Sequence, residues 1–120
     1  MLFRSLTKGN VVRIDQDGTL RVGNLIRAGK IIVTTTPWAD TVFDKSYVLK
    51  SLDSVEAYVK ANKHLEGIPT EASVKANGVS VGDMQVLLLK KVEELTLYMI
   101  ELKKENEILK NEVKEIKSNK

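Results

Sequence analysis

The chain has no cysteine, and it has a single histidine, a single tryptophan and two prolines. Without cysteine there is no disulfide framework and no thiolate metal site, and the redox compartment stays open. With no second histidine beside His64, a zinc site has too few ligands. As a general base His64 would need a nucleophile and an orienting group, and neither is signalled nearby. It reads as a helix-end histidine close to the carbonyl end of the helix dipole. Aromatic residues make up only 5% of the chain. So few aromatics in 120 residues mean a modest core per chain, and oligomerisation supplies what such a core lacks. No apolar run reaches the length of a membrane span. The opening "MLFRSLTKGNVV" does not read as a secretory signal.

Charge excludes less. The net charge is +3, with the excess in residues 1–50, which hold eight Lys/Arg against four Asp/Glu. That mild bias is not a nucleic-acid stripe, so no nucleic-acid partner is expected. Asp15, Asp17 and Gly18 have part of a calcium loop's composition, but "DQDGTLRVGNLI" lacks its later oxygen ligands and closing glutamate. A plain turn is the better reading. The glycines of "GTLRVGNLIRAGK" are not spaced as a phosphate loop. Lys90-Lys91 and Lys103-Lys104 read as solvated helix faces. No catalytic residue, metal ligand or cofactor is expected, and the chain reads as non-enzymatic.

What is present divides into three segments: 1–36, 37–79 and 80–120. Over about 10–36, Val11, Val12, Ile14, Leu20, Val22, Ile26, Ile31, Ile32 and Val33 give β-branched enrichment with partial alternation, which predicts short strands. Asp17-Gly18 is a hairpin-type turn, because glycine accepts positive φ. A sheet this small is marginal alone, and pairing with sister chains would cover its edges. In 37–79, Trp38, Phe43 and Tyr47 supply half of the aromatics. Ser51 is placed to cap a helix over "LDSVEAYVKANKHL", with Leu52, Val55 and Val59 on one face beside Tyr58. "EGIP" is expected to end it. Thr70 caps a short helix, "EASVKA", which Asn77-Gly78 stops in the left-handed manner.

From Ser80, an N-cap backed by Asp83 and by a Val79–Met84 staple, the pattern predicts one helix over about 81–117, roughly 50 Å long. Its apolar stripe needs a partner. Leu88, Val92, Leu95, Met99, Leu102, Asn106, Leu109, Val113 and Ile116 alternate four and three apart, which is a coiled-coil seam. Val92, Met99, Asn106 and Val113 are a positions; the other five are d. Glu105 and Glu112 then lie at g, and Lys103, Lys110 and Lys117 at e. In parallel chains Glu105 faces Lys110 and Glu112 faces Lys117 of the neighbour, whereas antiparallel chains oppose like charges. Parallel chains in register follow. Chain number is less clear. Valine at a, leucine at d and Asn106 at a argue for two chains. Val86, Leu87, Leu89, Leu97, Tyr98 and Ile100 widen the apolar face toward three, unless they pack elsewhere.

The tract from Trp38 to Leu109 resembles a module at the C-terminal ends of long surface and tail-fibre-like proteins of Bacteroidetes. The residues that carry the resemblance are Trp38-Ala39-Asp40, the run from Val55 to Pro69 ("VEAYVKANKHLEGIP"), the step from Gly78 to Met84, and Leu88 to Tyr98 ("LLKKVEELTLY"). The preceding "DGTLRVGNLIRAGKIIV" resembles the short β repeats before that module. The resemblance implies a trimeric, coiled-coil-ended tip like those of phage tail fibres, aiding chain alignment and folding, sometimes as an intramolecular chaperone. The self-cleaving members of that group carry a Ser-Asp cleavage step, and this sequence has none, so self-cleavage is not implied.

The expected fold is therefore α+β: a short N-terminal β segment pairing between chains, a small helical middle and a long parallel coiled-coil helix. The expected function is a chain-registering homo-oligomerisation and folding module at the end of a fibre or surface appendage, on a virion or injection-device tail or a cell surface. Its partners would be itself, with a homotrimer favoured over a dimer, and longer appendage proteins. The alternatives are a receptor- or glycan-binding tip, with Trp38 stacking on a sugar, and an intracellular dimeric zipper-type adaptor. For Trp38 itself, core or inter-chain packing is the favoured role.

Overall fold

The computed structural model describes residues 2–5, 9–34, 38 and 40–119. The fold is mixed α+β, dominated by its C-terminal helix. The chain forms two units, 1–32 and 33–120.

The first unit is a three-stranded antiparallel sheet of β1 (Leu2–Ser5), β2 (Gly9–Ile14) and β3 (Leu20–Val22), in that order. The β2–β3 hairpin turns where the sequence places it. Gly18 adopts φ 85°, its N–H donates to the Asp15 carbonyl at 3.1 Å, and the Asp15 N–H donates to the Thr19 carbonyl at 2.8 Å. The Asp17 carboxylate accepts from the Thr19 N–H. Arg13 and Arg21 are direct cross-strand partners, an arrangement that repels by itself. Asp15 at the turn relieves it. The Arg13 Nε lies 2.5 Å from one carboxylate oxygen and the Arg21 Nε 2.6 Å from the other. The Arg21 and Arg13 guanidiniums hold the Asp15 carboxyl below the usual carboxylate range. Both aspartates of the supposed calcium loop are thus engaged within the hairpin.

Two features of this unit depart from the sequence reading. β1 was not anticipated. It pairs with β2 from Leu2↔Arg13 to Ser5↔Gly9, with a register shift between Phe3 and Arg4. In the other direction, residues 24–34 form no strand. Leu25, Ile26, Ile31, Ile32 and Val33 are all exposed there. β-branched composition alone does not make a strand, because each strand needs a neighbouring ladder, and here the segment finds none among the described residues. Residues 35–37, at the end of that run, and Ala39 lie outside the described residues.

The second unit begins with turns over 40–46 and contains α1 (Leu52–Asn62), α2 (Glu71–Asn77) and α3 (Val81–Ser118). All three helices start at their anticipated caps. Ser51, Thr70 and Ser80 each accept, through the side-chain oxygen, from the N–H three residues on, at 3.2 Å in every case. Helix ends were harder to anticipate. α1 stops not at "EGIP" but at Lys63, which takes the left-handed conformation (φ 62°, ψ 19°) and donates its N–H to the Val59 carbonyl. Gly78 ends α2 with positive φ but ψ −175°, so it is not a left-handed cap of the expected kind. α3 runs 38 residues, roughly 57 Å at about 1.5 Å per residue.

The core is small. Among the described residues only Val42 (1% exposed) and Tyr98 (8%) are buried hydrophobic residues. Trp38 is 52% exposed and is not a core residue of its own chain, which corrects that half of the packing expectation.

Candidate functional site

Tyr98 organises one side of α3. Its hydroxyl donates to the Lys50 carbonyl at 2.6 Å, which ties the segment before α1 to the middle of the long helix. One turn earlier, Glu94 accepts from the Tyr47 hydroxyl and pairs with Lys91 at 3.1 Å. The Lys90 ammonium lies 5.8 Å from the centre of the Tyr47 ring. Lys50 also pairs with Glu66, whose carboxyl it holds below its ordinary value. These groups rim a groove of about 370 Å³ whose apolar wall includes Val55, Tyr58, Val59, Leu65 and Leu95. The sequence places His64 in the last turn of the expected helix; it sits instead just beyond the end of α1, which stops at Asn62. Its Nδ1 donates to the Leu65 carbonyl at 2.9 Å, and its ring stands edge-on to Tyr58 at 5.7 Å.

Burial pushes the Tyr47 phenol up to about 12, aided by the hydrogen bond to Glu94 and that residue's charge. The neutral phenol is the favoured form in the fold. Its contribution is therefore complete below the ordinary tyrosine value of 10.0 and lost as pH rises toward about 12. An alkaline titration of tyrosinate absorbance should show a component near pH 12 that Tyr47→Phe lacks. An unchanged late component in that variant contradicts the Tyr47–Glu94 contact.

On this packed side, Val86, Leu87, Leu89 and Leu97 are half-buried and Tyr98 is buried. The widened apolar face seen in the sequence is thus consumed largely within the chain, by the segment before α3. Ile100 is the exception and stays exposed.

The a/d side is largely bare, with Leu95 also at the edge of the groove. The eight apolar residues of the predicted seam, from Leu88 to Ile116, are each 48–70% exposed, and Asn106 is exposed among them. Fully burying one such side chain is worth about 1.5–3 kcal/mol, so a stripe of eight left in water is a large unrealised stabilisation. Beyond Tyr98 the helix is exposed at every position to residue 119. Among the described residues Glu105, Lys110, Glu112 and Lys117 have no ion-pair partner, whereas Lys103 reaches Glu107 on its own helix at 3.8 Å. The sheet of the first unit is similar. Val12, Ile14, Leu20 and Val22 share one face through their pairings, with Ile14 and Leu20 exposed and Val12 and Val22 half-buried.

Spacing alone marked out the stripe that stands exposed along α3. The groove was not visible in the sequence, because it joins Tyr47, α1 and α3 across about fifty residues of chain with no shared motif. Among the described residues no group of His, Asp and Glu is arranged to hold a metal ion, and no helix is long and apolar enough to cross a membrane. Comparison of the chain with known protein families, curated proteins and solved structures returns no match.

Proposed function

We propose that the chain is a self-association module that aligns identical chains in parallel and in register through the α3 seam, at the end of a fibre or surface appendage. The carrying observation is the uncovered a/d stripe from Leu88 to Ile116. The four charges at e and g that have no ion-pair partner among the described residues support the parallel arrangement, since only that arrangement brings Glu105 to Lys110 and Glu112 to Lys117. The bare face of the β unit supports a second contact between copies. The appendage context rests on the resemblance of residues 38–109 to fibre-tip modules, and it brings with it a role in chain alignment during folding.

The absence of native cysteine makes a clean test available. Leu88→Cys and Leu109→Cys, made separately, should each form an interchain disulfide on mild oxidation. Chains that are parallel and in register bring both d positions within the few ångströms a disulfide requires. An antiparallel pair brings at most one of these two positions opposite itself, so cross-linking at only one of them, or at neither, rejects the proposal.

One observation favours a second reading, a glycan-binding tip: the single tryptophan stands half-exposed, where a sugar ring would stack. Glycan-array binding that is lost in Trp38→Ala is the outcome this reading requires.

A further inference from the structure

We infer that the α3 seam is built for two chains, not three. The inference rests on the self-association proposed above and names the number of copies. A two-stranded coil touches its partner mainly through a and d. A third helix brings the flanking e and g positions into the contact as well, so a trimer needs those flanks free and partly apolar. In the first half of α3 they are already committed within the chain. At g, Tyr98 is buried, with its hydroxyl on the Lys50 carbonyl, and Lys91 is half-buried against Glu94. At e, Leu89 is half-buried, whereas Thr96 stays exposed. What remains is a narrow stripe.

The second half of the helix agrees on independent grounds. Its flanks are charged, with glutamate at g and lysine at e, and Glu105, Glu112, Lys110 and Lys117 have no ion-pair partner among the described residues. That charge pattern is complementary to an identical copy of itself. In the seam, leucine at d with valine at a favours two strands, and Asn106 at a is a device that fixes chain number and register. Two asparagine side chains can satisfy each other across a two-fold axis through a hydrogen bond between their amides. The occupant of the seam is thus one further copy of this chain.

Sedimentation equilibrium of the full chain at micromolar concentration reads the number directly. Twice the chain mass of 13.4 kDa is the expected result. Three times that mass overturns the two-chain inference and leaves self-association standing. A single-chain mass throughout the concentration range overturns both.

Discussion

Tyr98→Ala should lower the stability of the second unit by roughly 3–5 kcal/mol, the range for removing a large buried aromatic ring. The second unit has little else to rely on. Val42 is the other buried hydrophobic residue among those described, and it is much smaller. Tyr98 also supplies the hydroxyl that satisfies the Lys50 carbonyl, and that link holds the turn before α1 against α3. Domains are stable by only about 5–15 kcal/mol in total, so the loss is a large fraction of the whole. Tyr98→Phe separates the two contributions. It keeps the ring, leaves the carbonyl unpaired, and should cost about 1 kcal/mol. Urea titrations at one fixed chain concentration check both values, because association contributes to apparent stability. A loss below about 1 kcal/mol for Tyr98→Ala would mean that α1 and its flanking turns do not depend on α3 for their position.

The parts of this fold that were legible are those written in short-range chemistry. Ser51, Thr70 and Ser80 announce helices because a capping side-chain oxygen and the N–H that donates to it lie within one turn of each other. Gly18 announces a hairpin because a single residue carries the unusual φ. The exposed apolar stripe of α3 is legible over 29 residues for the same reason, since each step of three or four is local and the pattern only repeats it, while its pairing with another chain belongs to the proposal. The parts that were missed depend on partners distant in sequence. β1 exists because β2 lies beside it, and nothing in "LFRS" states that pairing. The segment 24–34 shows the converse, strand composition with no ladder to join. Val42 is the best-buried hydrophobic side chain of those described, yet in the sequence it is one valine in a polar turn. The end of α1 was misplaced because Lys63 pays a left-handed conformation that glycine would adopt freely. Tertiary structure chose that site, and the glycine four residues later was the more obvious stop. The assignment of Val86, Leu87 and Leu97 was open in the sequence for a related reason. Periodicity shows that a helix face is apolar, and only packing shows which neighbour covers it.

If α3 pairs as proposed, Leu109→Asp should leave single chains at micromolar concentration. Leu109 holds a d position of the proposed seam, in the part of α3 where every described residue is exposed, so its effect falls on association and not on the core around Tyr98. Each chain loses one seam leucine, worth about 2–5 kcal/mol when buried. Two chains lose it together, so the total exceeds about 4 kcal/mol, or roughly a thousandfold in the association constant. A carboxylate facing its own copy across the seam adds repulsion to that loss. Sedimentation velocity reads the change, and circular dichroism at the same concentration should show the distal helix fraying, since a long exposed helix is marginal alone. Asn106→Val provides the opposite sign at the adjacent a position. It replaces an amide that is costly to bury with a side chain that suits the site, so the thermal midpoint should rise. Register and chain number should become less uniform, because the group that penalises slipped and antiparallel alignments is gone. A variant that is less stable than the parent and keeps the same mass and the same Leu88 and Leu109 cross-links would show that Asn106 faces solvent in the assembly, and the seam would then have to be redrawn around it.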